Sequence, residues 1–232
     1  MSAPNQPAGS PSLSPSDALR ARVMDAVRAE PVAPRAGGIR NQAWLLVLAL
    51  AFSVMVSAEI GGPGLRGRPF AYVAALAVVW LLVAAGATWA GVARGRSMLG
   101  RNSAWRTAVA LLTPLGLFAA SLALGVAWPQ TLVDQSALGG HVLCLVGTTA
   151  FALGPLLIFA ALWRSSDPVA PRLTGAAIGA AAGAWGALGI EMHCRHASPF
   201  HVGIAHVLPV VVLALVGLLA IGPLVSVRAE RR

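Results

Sequence analysis

Residues 202–227 read VGIAHVLPVVVLALVGLLAIGPLVSV, a run without a single Asp, Glu, Lys or Arg. A helix needs about 20 mostly apolar residues to cross the hydrocarbon core of a bilayer, so this run predicts a membrane span. Five other stretches meet the same test, at 43–60, 70–93, 108–128, 137–163 and 173–192. None carries a charge in its middle. Glu59 and Glu191 fall at span ends, where a carboxylate is expected to reach the headgroups. Pro114, Pro155 and Pro209 lie inside spans and predict kinks rather than breaks, because neighbouring helices can satisfy the freed carbonyls.

The composition agrees. Of 232 residues, 57% are apolar and 11% charged, where a soluble domain carries about 25% charged residues. The expected fold class is all-α: a six-helix transmembrane bundle with a short, partly disordered cytoplasmic N-terminal segment. The segment is 1–40, the bundle 41–228 and a cytoplasmic tail 229–232. The first span lies too far from the N-terminus for an ordinary signal peptide, although Val56-Ser57-Ala58 resembles a cleavage site. The expectation is that it stays uncleaved.

All 17 basic residues are Arg, and the net charge is +9. Such a charge on a soluble chain would suggest nucleic acid. On a membrane protein, Arg gathers in cytoplasmic loops. Fourteen arginines fall before span 1, between spans 2 and 3, between spans 4 and 5, and in the tail. Only Arg66, Arg68 and Arg195 fall on the opposite side. This bias places both termini in the cytoplasm of a bacterial inner membrane, and it accounts for the charge without direct nucleic-acid binding.

In the N-terminal segment, residues 1–15 are rich in Ser, Pro, Ala and Gly and read as disordered. A helix follows over about 16–30, with Ser16 as N-cap and Asp17 in its first turn. Leu19, Val23 and Val27 recur every four residues and make an apolar stripe. A helix this short needs a surface to bury such a stripe. The membrane face and a partner's groove are equal candidates by periodicity alone. The stretch 32–38 reads as a linker.

The chemistry-bearing residues are concentrated at one end. His141 and Cys144 open span 4, His193, Cys194, His196 and His201 surround the loop between spans 5 and 6, and His206 lies one turn into span 6. These are all five His and both Cys, and the topology puts them at the periplasmic face. His141 and Cys144 are three apart, so they share a helix face. With Cys194, His193, His196 and His201 they offer N and S donors suited to Zn²⁺ or another transition metal. The spacing matches no standard zinc motif. A paired redox or metal role for Cys144 and Cys194 ranks first. Headgroup-level hydrogen bonding by the His, with the Cys as small buried hydrophobes, ranks second. A permanent Cys144–Cys194 disulfide ranks third. Bis-His haem ligation by His141 with His201 or His206 is a further alternative, disfavoured by the few aromatics.

Span 5 carries Gly175, Gly179 and Gly183, a smooth ridge for close helix packing. No span shows a buried acid–base pair or the polar row of a transport path. Nothing resembles a Ser–His–Asp arrangement or a phosphate-binding loop.

The segment Leu19-Arg-Ala-Arg-Val-Met-Asp-Ala-Val-Arg28 precedes six spans. The stretch from Cys144 through Gly154-Pro155-Leu156 then leads to Leu188-Gly-Ile-Glu-Met-His-Cys194. Together these resemble the NrsF family of multi-pass membrane anti-sigma factors. The family's outer loop usually has Cys-Pro and an acidic residue, where this chain has Cys194-Arg195-His196 and further histidines at His201 and His206. That departure makes metal ligation more attractive here. The resemblance implies a non-enzymatic protein whose N-terminal segment silences an extracytoplasmic-function sigma factor. Leu19, Val23 and Val27 would be the docking face, and the two Cys would sense metal or oxidant. The rival expectations are a membrane haem- or metal-binding redox protein and a small transporter subunit.

Overall fold

The computed structural model describes residues 15–29, 43–44, 47–52, 54–55, 68–92, 102–129, 138–163 and 169–226. Residues 1–14, the linker, the end of span 1 at 56–60 and the tail at 229–232 lie outside them. The chain divides into two units, residues 1–37 and 38–232.

In the first unit, helix α1 runs Pro15–Ala29 with Asp17 in its first turn. Leu19 and Val23 are 64% and 53% exposed, and Met24 beside them is exposed as well. Val27 lies on the same helix, but its side chain is outside the described residues.

The second unit is helical, with no strand among the described residues. Among the described residues, five helices are long and apolar enough to cross a membrane: α2 (Phe70–Val92), α3 (Ser103–Ala127), α4 (Leu138–Leu162), α5 (Pro171–Glu191) and α6 (Pro199–Val225). They correspond to the predicted spans 2–6. The described pieces of span 1, at 43–44, 47–52 and 54–55, are helical too. Outward-facing Leu82, Leu111, Val126, Leu157 and Leu219 leave the bundle with an apolar exterior. A surface of this kind belongs in lipid rather than water.

The element that orders the bundle is α5. In its spanning window 89% of residues are buried, against 33–44% in the other four helices. Its residues from Thr174 to Glu191 are all buried, mostly Gly and Ala. With so little side-chain bulk, neighbours can approach its backbone from every side. A Cβ at Gly175 would overlap the carbonyl oxygen of Gly217, and one at Gly179 that of Leu213. One at Gly183 would press on Val210 Cα at 2.8 Å. These three glycines therefore seat α6. Gly186 and Gly189 face Thr148, Phe151 and Ala152 of α4.

The prolines are accommodated without breaks. Pro114 and Pro155 lie inside continuous helices. Pro209 follows a wide π-helical turn, Val202–Val207, and Pro223 follows another, Gly217–Ile221. Pro209 lacks the N–H that would serve the carbonyl of Ala205. The Thr148 hydroxyl of α4 donates to that oxygen instead, at 2.8 Å.

One boundary differs in a way that moves a charge. The span predicted from 108 begins at Ser103, because the Asn102 side chain accepts the Ala104 N–H at 3.0 Å and caps the helix. Arg106, expected in a loop, is thereby carried inside at 1% exposure. Its guanidinium lies 5.9 Å from the Trp163 ring centroid.

Gly179→Ala should destabilise the bundle by about 1–3 kcal/mol through overpacking against α6. Gly86→Ala, with nothing within 4 Å of the added carbon, should be near neutral. Thermal unfolding of both variants in detergent measures the contrast.

Candidate metal centre

Three elements converge at the end of the bundle where α5 leaves and α6 enters. Cys144 comes from the second turn of α4, Cys194 from the loop after α5, and His201 and His206 from the start of α6. All four are buried. Their ligand atoms lie within 4.8 Å of one another.

Local sequence explains each placement. Ser198 caps α6 by accepting the His201 N–H at 3.2 Å, and Pro199 occupies the first helical position. His201 is therefore fixed in the first turn rather than left in the loop. Five residues later, an α-helix would have turned His206 about 140° away from it. The π-helical turn at Val202–Val207, with its wider i→i+5 bonding, brings the two rings back together, 5.3 Å between centroids.

Cys144, Cys194 and His201 are in contact in that order, and His206 lies beside them. Cys144 Sγ and Cys194 Sγ are 3.6 Å apart, and both are free thiols. Cys194 Sγ lies 3.2 Å from His201 Nε2 and 3.2 Å from the carbonyl oxygen of His196. The contact with Cys144, and then burial, push the Cys194 thiol well above the usual thiol range, against the opposing pull of His201. His201 Nδ1 meets His141 Nδ1 at 3.0 Å. When His201 donates that hydrogen, its Nε2 keeps a lone pair toward Cys194, the tautomer a cation needs.

Two sulfurs and two imidazoles form a donor set suited to Zn²⁺, and to softer ions such as Cu⁺. Tetrahedral Zn–S and Zn–N bonds would put the donors about 3.4–3.8 Å apart, so the present cluster needs to contract only slightly. Among the described residues, neither ring nitrogen of the fully buried His206 has a hydrogen-bond partner. Burying such a group unsatisfied costs about 1–3 kcal/mol, which a coordinated ion would recover. The residues present fit a metal ion.

The set differs from the one expected from sequence. Cys144, Cys194 and His201 come together as ligand candidates, and His206 joins them. His141 stands behind His201 as its hydrogen-bond partner. His196 packs its ring 5.0 Å from His201 and wraps its main chain around Cys194, with its N–H 3.4 Å from Sγ. His193 turns away against Phe151, 6.2 Å between ring centroids. The direct His141–His201 contact leaves no room for a porphyrin iron between those two rings.

Glu191 corrects a second expectation. It does not reach outward to headgroups; it is buried and ion-paired with Arg68 Nη1 through Oε1. Arg68 Nη2 also donates to the Glu191 main-chain carbonyl at 2.8 Å. A buried acid–base pair, absent from the sequence reading, thus caps α5 beside the cluster.

His206→Ala should weaken Co²⁺ binding by more than the about 10–100-fold that changes behind a ligand cost. His141→Ala should fall within that range, and His193→Ala should change little. Anaerobic titration of purified protein, read by thiolate-to-cobalt charge-transfer absorption, ranks the three.

A family model described as negative regulator of sigma F, NrsF, matches residues 26–226. No curated protein and no solved structure matches the chain. The matched stretch takes in α2–α6 and the whole Cys/His cluster, and reaches back over the last turn of α1. With most of its length matched in this way, the chain belongs to the NrsF family of negative regulators of a sigma factor.

Proposed function

We propose that this protein is an inner-membrane anti-sigma factor that holds an extracytoplasmic-function sigma factor through α1 and senses metal or oxidant through its Cys/His cluster. Both termini are cytoplasmic in this reading, and the cluster faces the periplasm. The arginine bias supports that orientation.

The observation that carries the docking role is the exposure of Leu19 and Val23 on one short helix. Left in water, a stripe this apolar leaves the helix marginal. A hydrophobic groove on a partner would bury it, with Arg20 and Arg22 at the rim. Asp17 and Asp25 among the arginines make anionic lipid a poorer surface for the same face.

The sensing role draws on the meeting of two thiols and two imidazoles in one buried place. A cation drawing the four donors together would pull α4, the loop after α5 and the start of α6 toward one point. Oxidation would join the same sulfurs: the two thiols lose two electrons and two protons to an oxidant such as a peroxide, which is reduced to water. Either event changes the relation of α4 to α5 and α6, and release requires only that the two arrangements differ in affinity for the sigma factor. No enzymatic step enters this reading.

Full-length protein in membranes should retain an extracytoplasmic-function sigma factor from its own host. Leu19→Glu with Val23→Glu should weaken that capture at least about 30-fold, the equivalent of one interface hot spot. Capture unaffected by the double substitution would count against α1 as the docking face. Cys144→Ser or Cys194→Ser should alter induction of a sigma-dependent reporter by metal or oxidant while the protein still inserts. Normal induction in both variants would sink the sensor.

A further inference from the structure

Arg68 and Glu191 are a buried ion pair that the four-donor cluster does not itself require. Each side chain is only 2% exposed. One carboxylate oxygen is taken by Arg68. The other, Oε2, has no hydrogen-bond partner among the described residues and lies 3.8 Å from His206 Nε2. An ion pair this deep is usually no more stable than a well-packed apolar replacement, so stability alone is a weak reason for it. Its position against His206 offers a better one.

We propose that Glu191, anchored by Arg68, sets the charge of the cluster so that it selects a divalent over a monovalent soft cation. The inference rests on reading the cluster as a cation site. When an ion binds, both thiols lose their protons to solvent and become thiolates. Among the described residues, the charged groups then in contact are Cys144, Cys194 and Glu191, all negative, and Arg68, positive. A bound ion takes a lone pair from His201 and from His206, so those two imidazoles enter the site uncharged. Arg195, next to Cys194, is exposed, and water screens it. The surroundings thus carry two net negative charges, which a divalent ion cancels. Removing the carboxylate while keeping Arg68 leaves one, which suits a monovalent ion. In a buried site such differences are weakly screened and therefore decide affinity.

The test uses full-length protein in detergent with reductant present. Co²⁺ is followed by charge-transfer absorption, and Cu⁺ by competition with a chromogenic chelator. Glu191→Gln should lose about 10–100-fold in Co²⁺ affinity without losing Cu⁺ affinity, and with the cobalt band unmoved because the ligands are the same. The double variant Arg68→Gln/Glu191→Gln restores the original net charge and should recover Co²⁺ binding. Equal Co²⁺ affinity in wild type and Glu191→Gln would overturn the proposal. A double variant as weak as the single one would do the same, assigning the carboxylate a geometric role. A shifted cobalt band would make Glu191 a ligand and also overturn it. If Glu191→Gln is not recovered folded, the double variant decides: binding within about tenfold of wild type supports the charge assignment, and a larger loss refutes it. Wild-type protein that binds no Co²⁺ removes the cation reading altogether. Wild-type binding with an indifferent Glu191→Gln removes only the charge assignment.

Discussion

The closeness of α5 to its neighbours is the constraint on which the rest of the bundle depends. A helix of Gly and Ala has almost no side chains to hold other helices away. The backbone of α6 comes within contact of the α5 backbone at Gly175 and Gly179, and α4 does so at Gly186. Two neighbours locked this tightly to one rod are fixed relative to each other. That is why Cys144 on α4 and His201 on α6 arrive at the same place, although nothing in the sequence pairs them. The loop carrying Cys194 is short and leaves α5 beside both, so it has little choice of position.

The same closeness accounts for the polar groups inside. Pro209 leaves a carbonyl of α6 without its helical donor, and Thr148 of α4 is near enough to supply one. At the opposite end, indole N–H groups perform similar work. Trp163 donates to the Val92 carbonyl at 2.7 Å and Trp185 to the Thr88 hydroxyl at 2.9 Å. Both tie down the π-helical end of α2. In a medium with no water to accept stray hydrogen bonds, each irregularity of one helix has to be answered by a side chain of another.

Much of this was legible in the sequence. Apolar length alone marked the stretches that become helices, and five of them coincide to within about five residues with described helices long and apolar enough to cross a membrane. The glycine ridge of α5 pointed to close packing, and the positions of the Cys and His pointed to one end of the bundle. What the sequence hid are departures from ideal geometry. What brings His206 to the other ligand candidates is a π-helical turn, which leaves no mark on an apolar pattern. Pro209, three residues beyond His206, was the available hint. Glu191 was read as a headgroup-level charge because its partner Arg68 lies in a different loop, far away in sequence. Asn102 as a cap, and with it the burial of Arg106, was missed because an apolar count begins only where the apolar run does.

The wide turn in α6 amounts to one residue more than an α-helix would hold over the same rise. A wide turn of this kind takes up its extra residue locally and leaves the helix on either side in phase. Residues five apart, which an α-helix would set about 140° from each other, here share one face, while the ridge of α5 still meets the side of α6 that it fits. Loss of one residue from 202–205 would leave the same two imidazoles four apart on an ordinary helix, again on one face. This short window can therefore absorb a change of chain length that the close-packed stretch from Val210 to Gly222 cannot.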